Sequence, residues 1–407
     1  MLNYPNLQSL DVVGDRRLRI LYTAVDTPIP GTHGGSVHVL ELCRALAQRG
    51  HDVHIVAPQR EAGRADVVEI MVPGAVGDET GSVDIVRIPR PWRFFEWTAV
   101  TDIRRIAERM EPDVVVERFY TFGGAGIWAA HTLGLPVVLE VNSPARRYPG
   151  SWRDRIDRLS LIAPVHRWRR RQLAWSHRIY ATSKCLLPPD LQESVTVVTN
   201  GVDTGRFHPA SVAREPDGPL RCVYASSFRS WHGALDLVQA VAMCVSRGVD
   251  LRVTCLGRGP LWRKAREEAE RAGVLEVIRF VGNVPYEDVP EYLAQADVGL
   301  APFNPAAFPA LRLGWFWSPI KIFEYLASGL AVVTVGIQEL RELLPASVAR
   351  FYTPGDVEGM ADTLETLAVD RAALKQIQQA SRALAESRFT WDHQAAVVEG
   401  VLKTVVQ

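Results

Sequence analysis

The sequence predicts an α/β protein of two Rossmann-like domains whose parallel sheets face a cleft between them. Three observations predict it. At 407 residues the chain is longer than one ordinary core supports. Through its first half, short apolar runs alternate with amphipathic segments, the rhythm of a parallel sheet covered on both faces. A polar stretch with three prolines then intervenes, RFHPASVAREPDGP at 206–219, and the same rhythm starts again.

The first domain is expected over 1–205. RLRILYTAV (17–25) reads as a buried strand, PGTHGG (30–35) as a loop, and 36–49 as a helix. Gly50 ends that helix as a C-cap and HDVHIVAP (51–58) is the next strand. Further strands are expected at 83–88, 113–117, 136–141, 178–182 and 195–198. Residues 206–218 read as the linker and 219–390 as the second domain. Its core strands come from RCVYASS (221–227), DLRVTCLG (250–257), VIRFVG (277–282), DVGLAPF (297–303) and LAVVTV (330–335). A last helix, in 391–407, lies beyond that core. Two such halves form a cleft at the C-terminal ends of their strands, where these folds bind ligands.

Composition narrows the function. The 46 basic and 46 acidic residues cancel, so no overall field draws the chain to nucleic acid. Five scattered cysteines form no C-x-x-C pair, which points to reduced thiols in a cytoplasmic protein. The start of the chain lacks a basic stretch followed by an apolar run, and no segment has the ~20 apolar residues of a membrane span.

Four segments combine residues suited to chemistry. In SPIKIFEYLASG (318–329), Ser318 suits an N-cap and Pro319 the first helical position. The first-turn amides, near Ile320, suit an anion, and Lys321 adds a cation. Glu324 lies three residues on, on the same face, where its carboxylate can accept both hydrogen bonds of a ribose diol. A capped helix with an internal Lys–Glu pair is the alternative. In VVTNGVDTGRF (197–207), Gly201 allows a tight turn, while Asn200 and Asp203 suit either turn hydrogen bonds or a ligand. Gly34 and Gly35, with His33 before them, allow close backbone approach at a helix start; His33 fits a solvent-exposed loop equally well. In SSFRSWHG (226–233), Arg229 offers a guanidinium fork to a phosphate, and His232 either assists it or is structural.

With these residues the chain resembles, over nearly its whole length, the large retaining glycosyltransferase family conventionally numbered four. The order and spacing of the segments above carry the resemblance, together with LGRG (256–259) and FVGNVPYEDVPEYLAQADVGLAPF (280–303). It implies a GT-B fold, an acceptor held by the N-terminal domain, a donor held by the C-terminal domain, and a final helix crossing back. It further implies Glu324 on the ribose, and Ser318, Pro319, Ile320, His232, Gly257 and Gly259 at the donor. Lys321, Arg229 and Asn142 are the expected catalytic residues, and His33, Gly34 and Gly35 the acceptor or phosphate loop.

Three departures from the family pattern stand out. Phe316 replaces the first of two glutamates eight positions apart, Ser227 and His232 replace an Arg-x4-Lys pair, and Asn142 stands where a histidine is frequent. There is no D-x-D to clamp a metal–diphosphate and no cluster with metal-ligand spacing. The expected reaction is therefore metal-independent, with Lys321, Arg229 and helix N-termini opposing the leaving diphosphate. The expected donor is a UDP- or GDP-sugar; neither base, sugar nor accepting atom is legible. A small soluble acceptor is preferred. The alternatives are a lipid-linked acceptor at a membrane surface and a non-transferring enzyme such as an epimerase. Four aromatics in RPWRFFEW (90–97) and ten arginines within 142–178 keep weak peripheral membrane contact open.

Overall fold

The computed structural model describes residues 16–31, 34–59, 67–70, 81–89, 96–120, 122–145, 163–210 and 218–406. His33, residues 90–95, residues 146–162 of the arginine-rich stretch and 211–217 of the expected linker lie outside them. The described chain divides into two compact units. The N-terminal unit holds the chain up to Gly201, with Arg312–Ser318 and Trp391–Gln407; the C-terminal unit holds Val202–Leu311 and Pro319–Thr390.

The N-terminal sheet contains β1 (Arg19–Thr23), β2 (Asp52–Pro58), β3 (Val67–Ile70), β4 (Val83–Ile88), β5 (Val114–Arg118), β6 (Val137–Val141), β7 (Arg178–Ala181) and β8 (Thr196–Val197). Its order is β3-β4-β2-β1-β5-β6-β7-β8. All pairs are parallel except β3–β4, an antiparallel edge that periodicity did not reveal. Its helices are α1 (Gly34–Gln48), α2 (Val100–Met110), α3 (Ala125–Leu133) and α4 (Ala163–Trp175).

The C-terminal sheet contains β9 (Leu220–Ala225), β10 (Leu251–Leu256), β11 (Ile278–Gly282), β12 (Val298–Ala301), β13 (Ala331–Val335) and β14 (Ala349–Tyr352). Its order is β11-β10-β9-β12-β13-β14, all parallel. The helices here are α5 (Ala234–Ser246), α6 (Trp262–Arg271), α7 (Val289–Ala294), α8 (Ile320–Ala327), α9 (Gln338–Leu343), α10 (Val357–Val369) and α11 (Arg371–Arg388).

The closing helix, α12 (Trp391–Lys403), belongs to the N-terminal unit. Its apolar residues Trp391, Ala395, Val398 and Leu402 join Val39, Leu42, Cys43 and Leu46 of α1 in one buried cluster. Arg49 clamps the pair from the end of α1, with Nε 2.6 Å from Glu399.

The chain enters the C-terminal unit at Val202, ahead of the expected linker start at 206. The reason is the packing of Phe207, which is fully buried beside the Tyr286 ring. Arg382 also donates to the carbonyls of Phe207 and Thr204 at 2.7 and 3.1 Å. Residues 206–210 therefore belong to a folded unit.

Candidate active site

In the C-terminal unit the loops after β9 and β10 meet the first turn of α8. After Ala225 the chain runs through Ser226 and Ser227 to Phe228, a non-glycine residue with φ 45°, and then a short turn, Ser230–His232. Gly257 and Gly259 press against that loop. A Cβ on Gly257 would lie 2.0 Å from the Ser226 carbonyl, and one on Gly259 would lie 1.7 Å from that of Ser227. These two glycines are required by backbone contact.

Lys321 sits in the first turn of α8 and is half-buried. Its Nζ donates to Ser226 Oγ at 3.2 Å and lies 5.4 and 5.1 Å from the ring centroids of Tyr224 and Phe303. Burial lowers its pKa to about 7, against the pull of Glu324. The Ser226 hydroxyl, accepting from Lys321, also lies 2.6 Å from His232 Nδ1. His232 is held as a neutral imidazole. Burial and the charges of Lys321 and Arg229 lower its pKa to about 2. Arg229 itself is exposed, with its guanidinium 5.5 Å over the Trp231 ring.

Glu324, one turn after Lys321, is buried and accepts from Tyr286 Oη at 2.9 Å. Burial raises its pKa to about 7, although Tyr286, Lys321 and Arg206 act the other way. Lys321 and Glu324 form no ion pair within 4.0 Å, so the alternative of a helix with an internal Lys–Glu pair does not describe this turn. Ser318 is not the cap either. The helix begins at Ile320 and its first turn has no side-chain cap. The hydroxyl of Ser318 instead accepts the Asn200 amide at 2.7 Å. The amides of Ile320 and Lys321 are left for an anion.

Ser318 and Asn200 lie in the N-terminal unit, at one end of a buried polar network. The Asn200 side-chain amide donates to the Ser318 carbonyl, which turns its Oδ1 toward His38 Nδ1, 2.5 Å away. His38 Nε2 lies 3.0 Å from Glu140 Oε1. Glu140, fully buried on β6, also accepts from Tyr22 at 2.5 Å, Tyr180 at 2.6 Å and the Asn142 side-chain amide. Burial opposes ionisation of Glu140, but the charge and hydrogen bond of His38, with Arg118 and Tyr180, bring its pKa down to about 2. Every partner of this acceptor-only carboxylate donates, so Asn142 turns its NH₂ inward.

Gly34 and Gly35 open α1, and a Cβ on Gly35 would lie 2.9 Å from the Arg118 guanidinium. Asp26, at 3.1 Å, and Thr27 Oγ1, at 2.6 Å, hold Arg118 in place. Sequence reasoning missed Ser226, Tyr286, Arg118, His38 and Glu140. The available signal was an acid inside an apolar run, VVLEV at 137–141 and VVVER at 114–118.

Two parallel-sheet Rossmann-like units, with a lysine-bearing helix start at the strand ends of the second, define a GT-B glycosyltransferase. The family profile described as "Glycosyltransferase Family 4" matches residues 32–206, and that described as "Glycosyl transferases group 1" matches 219–370. The chain belongs to this group of glycosyltransferases. It is 24% identical over 403 residues to the glycogen synthase of Mycobacterium tuberculosis, covering 92% of each chain. Sucrose-phosphate synthase from Thermosynechococcus elongatus is similar in structure, with TM-score 0.69 and 16% identity over 95% of this chain and 99% of that one. HepE of Anabaena in complex with UDP-glucose superposes with TM-score 0.64 and 15% identity, over 95% of this chain and 100% of that one.

Proposed function

We propose that this protein transfers a sugar from a nucleotide-diphosphate donor to a small soluble acceptor, with retention of configuration and without a metal. One observation carries the reading. Lys321 is a cation without a carboxylate in contact, at an uncapped helix start, one turn before a buried carboxylate that accepts only one hydrogen bond from the described residues. The uncapped turn and Lys321 suit a diphosphate, and Glu324 suits a ribose diol. That HepE is described with UDP-glucose supports a nucleotide-sugar donor here.

As the diphosphate leaves, negative charge grows on its oxygens. Lys321 and the Ile320 and Lys321 amides oppose it, with the neutral His232 ring beside that turn. The absence of a D-x-D supports relying on these groups. Retention follows from the family resemblance, and with no evident nucleophile the favoured route is front-face attack, the leaving oxygen taking the acceptor proton. Asn142, with its amide turned to Glu140, offers its Oδ1 to an acceptor hydroxyl.

Turnover of labelled UDP-glucose and GDP-mannose, with and without a panel of soluble acceptors, tests this reading. Acceptor-dependent nucleotide release with the donor's anomeric configuration kept, insensitive to chelator, is expected. Turnover without acceptor would identify an epimerase-like enzyme, and an inverted or metal-dependent product would refute the mechanism.

A second reading, a membrane-surface acceptor, draws on α4. Arg167, Arg170 and Arg171 are exposed there, and Trp168 packs beside Trp128, itself 37% exposed. Co-sedimentation with anionic vesicles at physiological salt, lost when these three arginines are neutralised, would favour it.

A further inference from the structure

A second constellation occupies the other end of the C-terminal strands. Arg221, Arg252 and Arg279 are each the second residue of β9, β10 and β11, whereas Ser226 and Gly257 follow the last residues of β9 and β10. The register sets Arg252 opposite Arg221, and Arg279 opposite Thr254. Side chains alternate along a strand, so all three arginines and Thr254 project from one face. With Tyr292 and Gln295 they line a groove of about 430 Å³, and no described lining residue is acidic.

Like charges directly opposite on neighbouring strands destabilise a sheet. Elsewhere this unit relieves its arginines. Arg247 meets Glu358, Asp362 and Glu365, Arg263 meets Glu267 and Arg271 meets Glu268. Arg258 and Arg266 lie over Trp262. Among the described residues, the guanidiniums of Arg221 and Arg279 have no hydrogen bond, ion pair or ring contact. Arg252 reaches only the Leu251 carbonyl and, at 3.6 Å, Asp250. The chain's charges balance overall, so this patch does not reflect general basicity.

We propose that this face binds a small molecule carrying two or more phosphate groups, at a site separate from the Lys321 turn. Adjacent strands lie ~4.8 Å apart and alternate residues ~6.7 Å apart along a strand. Three arginines on three strands thus spread positive charge over ~10 Å, which suits an oligophosphate better than one phosphate. Guanidinium forks bind phosphate oxygens in pairs, and the groove lies within the size range of small-molecule sites. Aliphatic arginine stems can also cover a sheet face with solvated heads, and the experiment separates the two.

Isothermal titration calorimetry of the full chain with sodium tripolyphosphate, at constant ionic strength, is the test. Binding is expected, with inorganic phosphate weaker. The triple variant Arg221→Gln, Arg252→Gln, Arg279→Gln should bind about tenfold more weakly or worse at this patch, while Lys321→Ala, which removes only the diphosphate turn, keeps the arginine-dependent binding. If the triple variant melts early, Arg279→Gln alone on the edge strand replaces it, with a smaller loss of affinity. No binding by the wild type, binding in the arginine variant identical to wild type, or complete loss of binding in Lys321→Ala would overturn the proposal. So would capture by phosphatidylglycerol vesicles that the arginine variant loses while tripolyphosphate stays inert, since that outcome assigns the patch to a lipid surface.

Discussion

Each unit buries a carboxylate beside a tyrosine hydroxyl, yet the two are driven in opposite directions. Glu140 of the N-terminal unit is brought down to about 2 against its burial, whereas burial takes Glu324 of the C-terminal unit up to about 7. The number of hydrogen bonds does not explain the contrast. Glu117 accepts from Thr23 and from the Gly124 and Gly126 amides, yet burial still raises it to about 7. What separates Glu140 is a fixed cation close by, the Arg118 guanidinium at 3.9 Å, with the His38 ring in contact at 3.0 Å. A carboxylate that already has its counter-charge is architecture. One that lacks it, beside a lysine that lacks its own, is poised for a ligand carrying both a hydroxyl pair and an anion.

The largest expected effect breaks the architectural side. Glu140→Leu leaves His38 facing an apolar group and two tyrosine hydroxyls without an acceptor. Removing one partner of a buried pair costs about 3–5 kcal/mol, and the urea midpoint should fall accordingly. Glu324→Leu should cost far less, because burial already disfavours its charged form. Equal losses would erase the distinction drawn between the two carboxylates. The sign with pH follows from the lowered pKa of Glu140. Its contribution is present above the unfolded carboxylate range and is lost as pH falls toward about 2.

Next in size is Lys321→Ala. Charge on the leaving diphosphate grows toward the transition state, so turnover should fall about 100-fold or more while donor affinity changes much less. Single-turnover kinetics with the donor that the wild type accepts separates the two. Normal turnover would remove Lys321 from the mechanism.

A smaller loss is expected for Glu324→Ala, which removes the acceptor for the ribose diol. Hydrogen bonds to a charged group are worth about 1.5–3 kcal/mol, so calorimetry should show nucleotide affinity weakened, with Tyr286→Phe weakening it less. An unchanged affinity in Glu324→Ala would move the ribose elsewhere.

Much of this contrast was out of reach of periodicity. The core strands were legible because buried parallel strands read as apolar runs, as at RLRILYTAV and LAVVTV. Gly50, with φ 92°, marked a helix end correctly. β3 and β14 were missed because both are short edge strands. Lys321 and Glu324 were legible because they share one helical turn. Tyr286 was not, since it lies 38 residues before Glu324 and only the fold brings them together. Ser318 misled for a related reason: its hydroxyl suits a cap, but Asn200, 118 residues earlier, takes it. The Glu140 network joins β1, α1, β6 and β7, a juxtaposition set by strand order.

The subtlest expected effect concerns pH, because Lys321 and Glu324 both sit at about 7 in the free protein. A bound diphosphate favours the ammonium form of Lys321, so donor affinity should weaken as pH rises above 7 and free Lys321 loses its proton. A ribose diol donates to Glu324 and favours its carboxylate, so affinity should also weaken as pH falls below 7 and free Glu324 is protonated. Nucleotide-diphosphate affinity should therefore peak near neutrality. The two limbs belong to the coupled pair rather than to either residue alone, but substitution assigns them. Lys321→Met should flatten the alkaline limb and keep the acid one; Glu324→Gln should do the reverse. Calorimetry with UDP between about pH 5.5 and 8.5 spans both limbs. A flat profile in the wild type would show that neither group titrates near neutrality in the free protein, and the contrast with Glu140 would then lose its basis.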